Sequence, residues 1–141
     1  MTAMAPAFAS VNEGELLPSL ELLPVSREML VSYAEASRDR NPVHTDSEAA
    51  RAVGAHDVFA HGMLQMAWLG RVVTNWTAQR DMREFDARFV AMTLPGDRIT
   101  CTGRILEKLT RDGETLVRIA LTAVNQDGET KVAGEALVAL P

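Results

Sequence analysis

The amino-acid sequence predicts a single α+β domain in which an antiparallel sheet wraps around a long apolar helix. Three observations predict it. Between residues 63 and 76, Met63, Leu64, Met66, Ala67, Trp68, Leu69, Val72, Val73 and Trp76 occupy most of a helical surface, so the helix needs cover nearly all round. Downstream, residues 84–92, 98–105, 117–123 and 132–140 each alternate apolar and polar side chains with a period of two, the pattern of half-buried strands. Turn-forming runs at Pro95-Gly96-Asp97, Arg111-Asp112-Gly113 and Asn125-Gln126-Asp127-Gly128 separate these segments, as in a meander of four antiparallel strands.

Residues 1–14 are small and partly polar, with Pro6 and Gly14, and are expected to form a flexible arm ahead of a domain covering 15–141. In residues 15–25, Pro18 and Pro24 interrupt a leucine-rich run, which suits an extended edge segment better than a helix. Ser26 is a candidate N-cap. Met29, Leu30, Tyr33, Ala34 and Ser37 then recur at intervals of three and four, the mark of a helix with one buried face. Pro42 donates no N–H and pushes Asn41 out of the α region, so this helix ends near Arg38 or Asp39. Thr45-Asp46-Ser47-Glu48 caps a short helix through Ala52, closed by Gly54, and a loop from Ala55 to Ala60 leads into His61-Gly62.

With 141 residues and 47% hydrophobic content, the chain is long enough for one domain with a core of its own. Its formal charge of -5 and lack of a dense basic run argue against a nucleic-acid or anionic-membrane partner and favour a small-molecule one. No apolar run reaches membrane-spanning length, and the start lacks a basic region followed by an apolar stretch, so a cytoplasmic location is expected. A single cysteine, Cys101, excludes an intrachain disulfide; in phase with Ile99 and Ile105, it reads as a buried strand residue.

The densest chemistry lies in Ser37-Arg38-Asp39-Arg40-Asn41-Pro42-Val43-His44. On a continuous helix Asp39 and His44 would diverge, but a proline turn between them can aim both at one pocket. Imidazole titrates near neutrality and a carboxylate can hold a water, so the two form a candidate acid/base pair. Gly62 would offer its backbone N–H at a helix N-terminus, where amides are unpaired and the dipole favours negative charge. Asn41 more naturally orients the turn or a water, and His61 supports the presentation of Gly62. Met63, Met66, Trp68 and Trp76 read first as core. His56, beside Asp57, reads as solvated, and a zinc site from His44, His56 and His61 lacks the spacing and a fourth ligand, so no metal is expected. The arginines Arg83, Arg88, Arg98 and Arg104 either meet a substrate phosphate or belong to a solvated sheet face.

Asp39, Asn41-Pro42, His44, Asp46 and Ala50, followed by Ala60-His61-Gly62-Met63-Leu64 and by Arg88-Phe89 leading to Leu94-Pro95-Gly96-Asp97, resemble the motifs of the MaoC-like dehydratase family in order. That resemblance implies a hot-dog fold and reversible hydration of a trans-2-enoyl thioester to a (3R)-hydroxyacyl thioester, carried by coenzyme A or acyl carrier protein. It implies Asp39, His44 and Gly62 as the catalytic set, Asn41, His61 and Met63 as substrate-positioning residues, and no cofactor. It also implies pairing with a second hot-dog subunit, identical or different. One position departs: Arg38 stands where the family usually has glycine.

Two other functions compete. A hot-dog thioesterase generally carries a carboxylate on or near the central helix, and none lies between Gly62 and Trp76. A non-catalytic thioester-binding subunit would keep ligand affinity without turnover; the intact Asp39, His44 and Gly62 count against it, while Arg38 favours it.

Overall fold

The computed structural model describes residues 4–141. Ser26 accepts a hydrogen bond from the Met29 N–H at 3.1 Å and opens helix α1, Arg27–Ser37. A 3-10 turn covers Pro42–His44, and Asp46 caps α2, Ser47–Ala52, by accepting from the Glu48 N–H at 3.0 Å. Helix α3 is Gly62–Thr74. The strands are β1, Leu20–Glu21; β2, Met82–Phe89; β3, Thr100–Arg111; β4, Glu114–Val124; and β5, Thr130–Ala139. Together they form one antiparallel five-stranded sheet, the architecture expected from the alternating segments.

The order β1-β3-β4-β5-β2 corrects the expected four-strand meander. Only β3, β4 and β5 follow one another; β2 pairs with β5, Phe85 opposite Ala136 and Ala87 opposite Gly134. Residues 90–99 therefore cross the sheet. Three strand spacings make about 14 Å, well within reach of a ten-residue connection. The Pro95-Gly96-Asp97 turn sits on that crossover and is tied to the entry of α1 by two backbone bonds, from Gly96 N–H to Val25 C=O at 2.7 Å and from Val25 N–H to Asp97 C=O at 2.9 Å.

Inside the curl, Leu69, Val72 and Val73 of α3 meet Ile99, Cys101, Ile105, Ile119, Leu121, Val132 and Val138, all essentially inaccessible. Each fully buried aliphatic side chain contributes about 1.5–3 kcal/mol, so this layer holds the helix on the sheet. Burial pushes the Cys101 thiol up to about 12, which leaves it inert. The expectation that α3 is buried nearly all round is corrected: Met63, Ala67 and Arg71, one stripe at intervals of four, are exposed because the sheet covers only one side.

Within residues 4–14, Ala5, Phe8 and Val11 pack against the core, while Met4 is exposed. Val11 is buried, the Phe8 N–H donates to the Pro141 carbonyl at 2.7 Å, and the Lys108 ammonium stands 4.4 Å from the Phe8 ring centroid while donating to the Val11 carbonyl. The apolar Phe8 and Val11, set among small residues, give the segment a reason to dock. The first three residues of the expected arm lie outside the described residues. Among the described residues no helix is long and apolar enough to cross a membrane.

Candidate active site

Helix α1 stops because Arg38 adopts the left-handed conformation, φ 61° and ψ 18°, at its C-cap. That reversal points the chain back, and Asn41 holds the next turn with its side-chain oxygen accepting from the Val43 N–H at 3.2 Å. The left-handed position explains why glycine suits the residue before Asp39: a Cβ there is strained. Arg38 itself is exposed.

The turn brings Asp39 and His44 together, with carboxylate Oδ2 4.0 Å from imidazole Nε2. His44 is buried and Asp39 is half exposed. His44 Nδ1 lies 2.7 Å from the Phe59 carbonyl oxygen. A carbonyl only accepts, so Nδ1 carries a proton, and Nε2 is the ring nitrogen turned toward Asp39. One water oxygen can hydrogen-bond to both Asp39 and His44 across that separation.

His61 joins them. Its ring stacks on His44, centroids 3.8 Å apart and planes 24° apart, and Tyr33 meets it edge-on at 4.8 Å. His61 Nε2 donates to the Asp39 main-chain carbonyl at 3.1 Å, and its buried Nδ1 has no partner among the described residues. Burial holds the His61 imidazolium below its ordinary pKa, the neighbouring His44 acting in the same direction and the Asp39 carbonyl against it. Ligand atoms of Asp39, His44 and His61 lie within 4.8 Å of one another. Two near-parallel rings direct their lone pairs side by side rather than at one point, an arrangement ill suited to a tetrahedral ion. His56, by contrast, is exposed, as the sequence predicts.

His61 is also the N-cap of α3 and places no side-chain acceptor on the first-turn amides. Gly62 follows as the first helical residue, so its N–H is left for another acceptor and the positive end of the helix dipole lies beside the Asp39–His44 pair. Met63 is largely exposed rather than core. Of the four arginines, Arg83 pairs with Glu114 at 2.6 Å and Arg104 donates to the Gly14 carbonyl at 2.8 Å, while Arg88 and Arg98 are exposed.

Several contributors were not visible in the sequence. Phe59 acts through a carbonyl, which every residue has. The loop that carries it is clamped by Asp57, which accepts from Arg27 at 2.5 Å and from Ser47 at 2.6 Å. The Arg27 guanidinium, aided by Ser47 and the Val58 N–H, holds the Asp57 carboxyl well below the usual carboxylate range. Gln65, buried in the first turn of α3, accepts from the Thr93 hydroxyl at 2.6 Å and ties the crossover to the helix. Its one signal was a polar side chain within an otherwise apolar run.

A family model described as "MaoC like domain" matches residues 13–126. Over 110 residues the chain is 36% identical to the fatty acid synthase subunit beta of Aspergillus oryzae, covering 75% of this chain and 5% of that protein. Among solved structures, the R-hydratase PhaJ1 of Pseudomonas aeruginosa superposes with a TM-score of 0.80 at 28% identity, over 96% of this chain and 85% of that one. A chain of the ChsH1-ChsH2 complex of Mycobacterium tuberculosis gives 0.77 at 26% identity, over 92% and 98%. Their fold matches the curled sheet described above, and the chain belongs to the MaoC-like dehydratase family of hot-dog proteins.

Proposed function

We propose that the protein catalyses reversible hydration of a trans-2-enoyl thioester to the (3R)-hydroxyacyl thioester. The observation that supports this reading is the approach of the Asp39 carboxylate to Nε2 of His44, with His61, the residue just before Gly62 at the head of α3, stacked on His44 and bonded to the Asp39 carbonyl. Hydration adds the elements of one water across C2=C3. The water oxygen, held between Asp39 and His44, forms the bond to C3 as it gives up a proton to the pair, the C2=C3 electron pair moves toward the thioester, and the pair returns a proton to C2, so that it ends as it began. In between, negative charge grows on the thioester oxygen, and the Gly62 N–H is the group that meets it. Dehydration is the same path in reverse. Asn41 keeps the turn in shape, and His61 holds the Asp39 backbone.

A partner belongs to the proposal. Among the described residues strand β2 pairs only with β5, so its other edge presents free backbone groups. Asp39 lies half exposed in the single chain, and a second hot-dog subunit, identical or different, would cover both.

The test is loss of enoyl absorbance when the protein meets crotonyl-coenzyme A. Asp39→Asn and His44→Ala should each slow it by about 10²–10⁴-fold while circular dichroism stays unchanged. Equal rates in a variant and the wild type would remove that residue from the mechanism, and no turnover from folded wild type would favour a binding-only subunit.

A further inference from the structure

Successive peptide planes run from Phe59 to Gly62, and each is held at an identifiable point. A peptide group is planar, so fixing one end of it aims the other. In the first plane the Phe59 carbonyl oxygen lies 2.7 Å from His44 Nδ1, and the Ala60 N–H donates to the Thr93 carbonyl at 2.9 Å. In the second, the Ala60 carbonyl accepts from the Gln65 side-chain amide at 3.3 Å. In the third, the His61 carbonyl accepts from the Gln65 main-chain N–H at 3.2 Å, and the far end of that plane is the Gly62 N–H. Gln65 thus grips consecutive carbonyls, one with its side chain and the next with its backbone. Its side-chain oxygen accepts from the Thr93 hydroxyl at 2.6 Å, which closes a ring through Ala60, Gln65 and Thr93. A carbonyl only accepts, so the Gln65 nitrogen faces Ala60, its oxygen faces Thr93, and the hydroxyl donates. All three residues are buried, and a buried polar network with its bonds made is rigid. Thr93 is anchored in turn, because the Met92 carbonyl in the same peptide as its N–H accepts from the buried Lys131 ammonium at 2.8 Å.

We infer that Gln65 and Thr93 are positioning residues, and that the ring they close with Ala60 sets the Gly62 N–H and the His44 ring relative to each other. The inference deepens the hydratase reading and rests on it for its catalytic consequence, since that reading gives His44 the water and the Gly62 N–H the thioester oxygen. The carbonyl and C3 belong to one short conjugated unit, so the substrate fixes the spacing that the protein has to match. Neither side chain has to touch the substrate for this. Without the Thr93 hydroxyl, the Gln65 oxygen is left buried without its donor. A Gln65 side chain that turns away releases the Ala60 carbonyl, and the planes leading to Gly62 are free to tilt. Charge growing on the thioester oxygen depends on the aim of that N–H, whereas binding of the uncharged ground state depends on it far less.

Thr93→Val, Thr93→Ser, Gln65→Met and the double variant Gln65→Met with Thr93→Val test this in the full chain. Nuclear magnetic resonance of protein labelled in alanine and glycine reports the Ala60 and Gly62 amides without any substrate. Thr93→Val and Gln65→Met should shift the Gly62 resonance and speed Ala60 amide exchange by about tenfold or more, while Thr93→Ser should match wild type. With crotonyl-coenzyme A, kcat should fall about tenfold or more in Thr93→Val and in Gln65→Met, with KM within about twofold of wild type. Thr93→Ser should recover most of the rate, and the double variant should lose no more than the worse single one, as expected of residues acting as a unit. An unchanged kcat per folded molecule in either single variant, whatever its melting temperature, would overturn the inference. So would additive losses in the double variant, or an Ala60 amide that exchanges in wild type as fast as an exposed loop amide. A wild type that does not hydrate removes the hydratase reading, and the Ala60 and Gly62 amides then decide by themselves whether the pair positions the head of α3.

Discussion

The His61 ring lies on the His44 ring, centroids 3.8 Å apart, while its Nε2 donates to the main-chain carbonyl of Asp39. One buried imidazole thus touches both members of the proposed acid/base pair, through ring stacking on one side and backbone on the other. It does so as the neutral form, because a charge there would lie buried against a second imidazole.

This makes stability pH-dependent in a defined window. The folded pKa of His61 is depressed below its ordinary 6.5, so the unfolded chain binds the extra proton first. The contribution is fully present above pH 6.5 and is lost as pH falls through the folded pKa. Its slope is at most about 1.4 kcal/mol per pH unit. Denaturant melts of wild type and His61→Gln between pH 5 and 8 check this: the wild type should lose stability on acidification with a component the variant lacks. Parallel curves for the two proteins would assign the acid sensitivity elsewhere.

Gly62 has two reasons to be glycine, the Phe89 ring that rests on it and the thioester that the mechanism brings there. Gly62→Ala separates them. A methyl group displaces the half-exposed ring at small cost to stability, but it also pushes the reacting carbonyl away from the amide. Misplacement on that scale costs about 10²-fold in kcat/KM. The double variant Gly62→Ala with Phe89→Ala restores room for the methyl without restoring the approach, so activity toward crotonyl-coenzyme A should stay low. Full recovery in the double variant would show that glycine serves only to seat Phe89.

Arg38 holds a left-handed conformation at φ 61° and is exposed. A non-glycine residue there costs about 1–2 kcal/mol of local strain, offset in part by the greater freedom glycine has in the unfolded chain. Arg38→Gly is therefore expected to raise stability by about 0.5–1 kcal/mol, read as a higher urea midpoint at unchanged slope. Hydration of crotonyl-coenzyme A should be retained. A lower midpoint would mean that the arginine side chain makes a stabilising contact outweighing the strain.

What the sequence determined by itself was local in origin. The Ser26 and Asp46 caps, the stop before Pro42, the period-two strands and the buried phase of Cys101 all follow from groups a few residues apart, and all are found in the fold. So is the meeting of Asp39 and His44, because the proline turn that joins them is short. Tertiary structure decided what depends on partners distant in sequence. Whether β2 lies beside β3 or β5 is set by a crossover long enough to reach either edge, and alternation of side chains is the same in both. The exposed stripe of α3 follows from a sheet that covers one side only, which hydrophobic content cannot reveal. His61, whose role in the sequence was to present Gly62, became the hinge of the site through stacking and a backbone carbonyl. Such contacts depend on three-dimensional approach and leave no periodic trace along the chain.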